Sequence, residues 1–385
     1  VSEKFSVIFF AGYFLPYRGG YANSIFQLAR QLRQKGHVVS VLTNNTENSP
    51  EQETRDGILI YRLDCWHILG KTYPIPKPTF KNYRILRAAL PSKPFIISTQ
   101  TRFFVTSIIG LLVAWLKKQP LIHTERGSQH SEHRKKVIYF IGLLVDHIFG
   151  WLLVKRANLN IGVSTGACAF LRHLGASRVE LIPNGVNEFF LQAGDSRPGV
   201  RASSDTISII FFGRLIYAKG VQDLIKVFYR LSSKITKAKL YILGSGNYRS
   251  QLETLVNKNT PNREVVFTGE LDSGGIIEIM KKSDIFVNPS YSEGLPTSVL
   301  EAGAAGLAVI ATNVGGTADI VKSEETGFLY EPHHIDKLQG YLEVYATEPI
   351  LRQKHGQALK AFIIKNFSWE KVALAYLEHF SKINS

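Results

Sequence analysis

The sequence is poor in sulfur. Of 385 residues two are cysteines, Cys65 and Cys168, in unrelated contexts without metal-ligand spacing, and one is methionine. That excludes a disulfide-stapled scaffold and a cysteine-based zinc site, and it fits free thiols in a reducing cytoplasm. A signal-peptide pattern is also missing, because Val1-Ser2-Glu3-Lys4 runs straight into a strand-like run and a Gly-rich turn. Long apolar runs are scarce. Phe103 to Leu116 is too short to span a membrane, whereas Val137 to Val154 is long enough and has basic residues at both ends. Asp146-His147 at the centre of that run is costly in hydrocarbon, so a buried or membrane-grazing helix is predicted instead.

Acidic residues are scarce in one half only. Residues 1–190 hold 24 Lys and Arg against 11 Asp and Glu, and the remainder holds 22 against 20. The excess points to an anionic partner for the first half: a membrane surface, a phosphorylated acceptor or a nucleic acid. A generally basic proteome gives the same signature. The basic residues are scattered and no nucleic-acid motif accompanies them, so nucleic acid is not expected.

The remaining composition, 45% apolar and 20% charged, is that of a globular protein long enough for two full cores. Phe5 to Ala11 reads as a strand. A loop ending in Gly19-Gly20 follows, then a helix with Ile25, Leu28, Ala29 and Leu32 on one face, then a strand at Val38 to Leu42. That order implies a parallel sheet, and its first loop lacks the G-x-G-x-x-G pattern of dinucleotide sites. Residues 70–94 read as an irregular or loosely helical insertion. Strands are expected at Ile96 to Ser98, Leu121 to Thr124 and Asn160 to Ser164.

A polar stretch, Gly194 to Asp205, is the best boundary, after which strands and helices alternate again from Ile207. The expected fold is therefore α/β, with two doubly wound parallel-sheet domains facing across a cleft. Their bounds are 1–190, a linker at 191–205 and 206–367.

The second half gathers polar groups at successive strand ends. Arg214 follows the strand ending at Phe212, and Lys219-Gly220 opens the next helix. Gly244, Phe267 and Thr268 end two further strands. Ser292-Glu293-Gly294-Leu295-Pro296-Thr297-Ser298 leads from the strand Asp284 to Ser290 into a short helix that carries Glu301. Free N–H groups at that helix start, between two carboxylates and near Arg and Lys, suit a ligand with both phosphates and hydroxyls, such as a sugar nucleotide.

Together, Gly19-Gly20, Asn184-Gly185-Val186, Gly213-Arg214 with Lys219-Gly220, and Glu293-Gly294-Leu295-Pro296 with Glu301-Ala302 resemble retaining glycosyltransferases of family 4 (group 1 type), with the GT-B fold. The resemblance covers nearly the whole chain and is most specific over residues 209–320. It implies that Arg214 and Lys219 hold the nucleotide diphosphate, Glu293 faces the transferred sugar and Glu301 takes the ribose hydroxyls. It also implies that Gly19, Gly20 and Gly294, Leu295, Pro296 and Thr297 line the donor, with Gly244 and Phe267 bordering the base. No divalent metal or other cofactor is implied, in keeping with the lack of an Asp-x-Asp motif. The leaving phosphate would serve as base in a front-face transfer, with Glu293 as covalent nucleophile the rival. Residues 368–385 would form a helix crossing back to the first domain.

One departure concerns the first domain. The family's Thr-Glu-His-Gly-Ser stretch reads Thr124-Glu125-Arg126-Gly127-Ser128 here, with Arg126 in place of histidine. Either Arg126 acts electrostatically, or His130 or His123 substitutes; His123, inside a strand, reads rather as a core residue. The expected activity is transfer of a hexose-type sugar from a UDP- or GDP-sugar to a lipid-linked or surface glycan acceptor, at the cytoplasmic face of a membrane. Open alternatives are a same-fold epimerase or phosphorylase, a basic nucleic-acid-binding protein and a non-catalytic scaffold.

Overall fold

The computed structural model describes residues 4–17, 19–68, 73–92, 94–130, 136–195, 206–231, 235, 237–257 and 264–384. They form two compact units: residues 1–185 with 369–385, and residues 186–368. The change of unit comes at Gly185/Val186, earlier than the sequence pattern suggests. The reason is the helix Glu188–Asp195, which packs on the second unit's helices Ser273–Lys281 and Thr297–Ala304. Most of the polar stretch used as the boundary lies outside the described residues.

In the first unit the strands are β1 (Ser6–Phe10), β2 (Val38–Asn44), β3 (Gln52–Arg55), β4 (Ile58–Leu63), β5 (Cys65–Ile68), β6 (Tyr73–Pro76), β7 (Ile96–Gln100), β8 (Leu121–Glu125), β9 (Leu159–Gly162) and β10 (Val179–Leu181). Eight of them make one sheet in the order β10-β9-β8-β7-β1-β2-β4-β3, parallel except for the β3–β4 pair. The central strands are buried on both faces, so β1 and β7 are runs of Val, Ile, Phe, Ser and Thr without alternation, apart from Gln100 at the end of β7. The described part of the 70–94 stretch is more regular than expected. β5 and β6 pair as a hairpin, and Phe80–Ala89 is a helix capped by Thr79, whose side chain accepts from Asn82 N.

The apolar run at Val137 to Val154 forms a helix (Lys136–Val145), a π-turn (Asp146–Gly150) and a helix (Trp151–Arg156). Among the described residues no helix is long and apolar enough to cross a membrane. The last helix, Trp369–Asn384, belongs to the first unit. Trp369, Val372, Ala373, Tyr376 and Phe380 recur at helical spacing and share a core with Phe5, Leu28 and Leu32. A side chain at Gly185 would strike the Trp369 ring at 2.7 Å, so the chain must pass there as glycine.

The second unit holds β11 (Thr206–Phe212), β12 (Lys237–Leu243), β13 (Glu264–Gly269), β14 (Ile285–Asn288), β15 (Ala308–Thr312) and β16 (Phe328–Tyr330), all parallel, in the order β13-β12-β11-β14-β15-β16. Each sheet winds outward in both directions from its first strand. The switch points therefore fall between β1 and β7 and between β11 and β14. Loops at the C-terminal ends of those strands are where such sheets bind ligands.

Candidate active site

At the second unit's switch point, β11 runs into Gly213-Arg214 and then the 3-10 turn Tyr217–Lys219, while β14 runs into the loop carrying Glu293. Lys219 Nζ donates to Glu293 Oε1 at 2.6 Å, and Asn288 Nδ2 approaches the same oxygen at 3.4 Å. The two loops lie so close that a Cβ at Gly220, whose φ is 65°, would meet Pro289 O at 1.9 Å. On the other flank a Cβ at Gly315 would meet Glu293 O at 1.9 Å, and Gly316 N donates to Gly294 O at 2.7 Å. The loop that carries Glu293 is thus clamped at Pro289 and at Glu293 by backbone contacts that only glycine permits. Arg214 is exposed and, among the described residues, its guanidinium has no ion-pair partner.

The helix Thr297–Ala304 starts at Pro296 with no side-chain cap and no acid in its first turn, leaving the Thr297 and Ser298 N–H groups outside the helical ladder. Glu301 lies in its second turn, half-buried, with no hydrogen-bond or ion-pair partner among the described residues. Burial pushes its carboxyl up to about 8, so it holds a proton at neutral pH. The two glutamates that the sequence presents as a pair are therefore unlike: Glu293 is ionically engaged, and Glu301 is uncompensated.

Gly244 joins β12 to this rim through Gly213 N donating to Leu243 O and Gly244 N to Gly269 O. Phe267, on β13, has the Arg249 guanidinium 5.8 Å from its ring centroid. A pocket of about 330 Å³ behind the loops, lined by Tyr217, Gln222, Asp223, Tyr248, Tyr291 and His333 among others, contains none of the candidate residues. It braces them instead. Tyr291 N donates to Ala218 O, and Tyr291 Oη donates to Asp223 at 2.7 Å.

At the first unit's switch point, Gly19 and Gly20 open the helix Gly20–Gln34, which has no side-chain cap and no acid in its first turn. Tyr21 fixes that turn: its hydroxyl donates to Gln100 O and accepts from Gly12 N, each at 3.0 Å. Arg126, just past β8, donates to Asn184 Oδ1 at 2.5 Å and Gln100 Oε1 at 3.0 Å, with its guanidinium 5.9 Å from the Tyr21 ring centroid.

His130 stands apart from the Arg126 guanidinium. Its Nδ1 lies 2.7 Å from Asp146 Oδ2, its ring stacks on His147, and it shares no partner with Arg126. His123 is fully buried in β8, with Nδ1 3.0 Å from Thr99 Oγ1, as a core residue. The structure thus brings Arg214's strand end, Lys219 and Glu293 together, places Glu301 on the following helix, and gives the Arg126 guanidinium and the His130 ring different side-chain partners in the first unit.

The group 1 glycosyl transferase model matches residues 194–362, and the Glycosyltransferase Family 4 model matches residues 18–188. The chain is a group 1 glycosyltransferase. It is similar, at 28% identity over 99% of both chains, to an uncharacterized glycosyltransferase of Methanocaldococcus jannaschii. It is also similar, at 25% identity over 94% of this chain and 77% of the relative, to the phosphatidylinositol N-acetylglucosaminyltransferase gpi3 subunit of Schizosaccharomyces pombe. Among solved structures, sucrose-phosphate synthase from Thermosynechococcus elongatus matches with a TM-score of 0.80 at 23% identity, over 98% of this chain and 99% of that one. That likeness speaks for the fold, which is GT-B.

The sequence pattern of this glycosyltransferase concealed one group of residues. Glu125 is fully buried at the end of β8. Burial alone would raise its carboxyl, but Arg102, whose Nη1 lies 3.1 Å away, and His123 outweigh that and hold it down at about 2. Arg102 also grips Asp146 through Nε and Nη2, both at 2.9 Å. Glu125 Oε1 in turn accepts from the N–H groups of Arg126 and Gly127, shaping the loop that presents Arg126. The available signal was Asp146 itself: an acid inside an apolar run needs a buried cation, and Arg102 is the arginine beside Thr101 at the end of β7.

Proposed function

We propose that this glycosyltransferase is retaining and moves a hexose-type sugar from a UDP- or GDP-sugar to a lipid-linked or surface glycan acceptor at the cytoplasmic face of a membrane. The carrying observation is the clamped Lys219–Glu293 pair beside the exposed Arg214 and an uncapped helix start. A diphosphate seated there receives two cations and backbone N–H groups, enough to stabilise its leaving charge without a divalent metal. Glu293, held by the Lys219 ammonium at 2.6 Å, faces the sugar. Glu301 accepts the ribose hydroxyls once deprotonated. In the transfer the sugar–phosphate C–O bond breaks as the acceptor oxygen bonds the same carbon from the same face, and the acceptor proton passes to the leaving phosphate.

Two features support a membrane-side acceptor. Trp115 and Leu116 are 67% and 68% exposed at the end of the helix Val105–Lys117, next to Lys117 and Lys118. Val137, Phe140, Leu144, Ile148 and Trp151 are likewise exposed, ahead of Lys155 and Arg156. Apolar side chains that dip into lipid, rimmed by cations worth roughly 1 kcal/mol each near an anionic surface, make a peripheral anchor. The phosphatidylinositol-named relative is in keeping with a lipid acceptor.

A thermal-shift screen with UDP, GDP, ADP and their sugars, with and without EDTA, tests the donor site. A nucleotide at about 100 times its Kd stabilises by roughly 2.7 kcal/mol. A shift that survives EDTA is expected; no shift with any nucleotide overturns the reading. Co-sedimentation with anionic and neutral vesicles tests the anchor, and equal recovery with both would sink it.

A further inference from the structure

A guanidinium taken out of water ordinarily sits against a carboxylate. The fully buried arginines of the first unit obey this: Arg62 meets Glu53 at 2.5 Å, and Arg102 meets both Glu125 and Asp146. Arg126 does not. Its two acceptors are the neutral amide oxygens of Asn184 and Gln100, and its Nε is shut inside the protein with no acceptor. Glu125, the adjacent residue, spends its charge on Arg102 and on the backbone N–H groups of residues 126 and 127. The Gln100 amide is itself held in place, its Nε2 donating to Ser98 Oγ at 2.9 Å. The net positive charge is therefore fixed in position and left uncompensated, and desolvation accordingly lowers the Arg126 pKa.

Of the five N–H groups of a guanidinium, two are bonded and one is enclosed without a partner, which leaves two for a ligand. The uncapped start of the helix Gly20–Gln34 adds its positive end through Tyr21, whose ring lies beside the same guanidinium.

We propose that Arg126 forms an oxyanion subsite for a carboxylate or phosphate carried by the substrate outside its nucleotide, on the transferred sugar or on the acceptor. This rests on the glycosyltransferase reading above. A neutral hexose hydroxyl would leave the half-buried charge uncompensated, whereas an oxyanion completes it with charge-assisted bonds.

The test compares wild type with Arg126→Gln and Arg126→Lys by thermal shift and calorimetry. With UDP filling the diphosphate site, inorganic phosphate should further stabilise wild type and Arg126→Lys but not Arg126→Gln. UDP-glucuronic acid against UDP-glucose then probes the donor sugar. Glucose 6-phosphate against glucose, with UDP present, probes the acceptor. In one pair the charged member should bind wild type about tenfold or more tightly than the neutral one, as expected for bonds to a charged group. Arg126→Gln should erase that preference and leave UDP affinity unchanged. Equal binding within both pairs overturns the proposal, as does a preference that survives Arg126→Gln. A loss of UDP affinity in Arg126→Gln also overturns it, because the anion would then be the diphosphate. Failure of wild type to bind any nucleotide, with the phosphate effect intact, counts against the donor reading and not against the subsite.

Discussion

Glu301→Gln should remove a pH dependence that the wild-type protein carries. A half-buried carboxyl with no partner among the described residues, raised from an ordinary 4.5 to about 8, keeps a proton in the folded state that the unfolded chain gives up. The folded state binds more protons between those values, so the Glu301 contribution to stability falls as pH rises from about 5 to 8. The limiting slope is about 1.4 kcal/mol per pH unit. Over the window the loss comes to roughly 2–4 kcal/mol, allowing for the solvent that reaches the carboxyl.

The amide introduced by Glu301→Gln mimics the protonated carboxyl and cannot ionise. Urea unfolding of both proteins at intervals from pH 5 to 9 should therefore show the variant gaining on wild type as pH rises. Other titrating groups cancel in that difference. A difference that stays constant across the range would refute the buried, uncompensated carboxyl. Nucleotide binding should move in the opposite direction. Wild-type affinity increases through pH 8 as the ionised form becomes available to ribose hydroxyls, and the Glu301→Gln variant stays flat at the low-pH level of wild type.

Further outcomes follow from the same geometry. Lys219→Ala leaves Glu293, nearly buried, without its cation; we expect a loss of roughly 1–3 kcal/mol in unfolding free energy and a drop in turnover larger than in donor affinity. Wild-type turnover in that variant would remove Lys219 from the chemistry. Gly220→Ala forces a Cβ into Pro289 O at a positive φ, so its melting temperature should fall by several degrees, for a cost on the order of 1–3 kcal/mol. An unchanged melting temperature would mean that the two loops are not clamped. Asp146→Asn takes one carboxylate from Arg102 and the partner from His130, and should cost about 3 kcal/mol or more by chemical denaturation. Glu125, depressed to about 2, stabilises the fold above its unfolded pKa near 4.5 and loses that contribution as pH falls through 4.5 towards 2. Acid unfolding should be correspondingly steep, and Glu125→Gln should blunt it.

The two parallel sheets were legible because their strands are continuous apolar runs separated by Gly-rich loops. β11 and β14 show this best, and the site loops follow at their ends. Two kinds of feature were not legible. β3 and β4 make a short antiparallel edge with little apolar signal in Gln52–Arg55, and the β5–β6 hairpin is interrupted by Pro74 and Pro76. Local propensity says little about either, since pairing with a distant strand decides them. The second kind is electrostatic. Arg102, Glu125 and Asp146 are far apart in sequence, and only the fold sets one buried guanidinium against both carboxylates. The same limit applies to Glu293 and Glu301. Residue type and spacing present two equivalent acids, and only burial and the reach of Lys219 make one an ion and the other a proton carrier.

The seat of Trp369 on Gly185 has a consequence for how the chain is made. The first unit is assembled from both ends of the sequence, whereas the second is one continuous segment, residues 186–368. On the ribosome the second unit can finish folding while the first still lacks the helix that covers Phe5, Leu28 and Leu32. Removing the last 17 residues should thus uncover the core of the basic unit and leave the other intact. A cut in the polar stretch before β11 would divide one uninterrupted folding unit near its start.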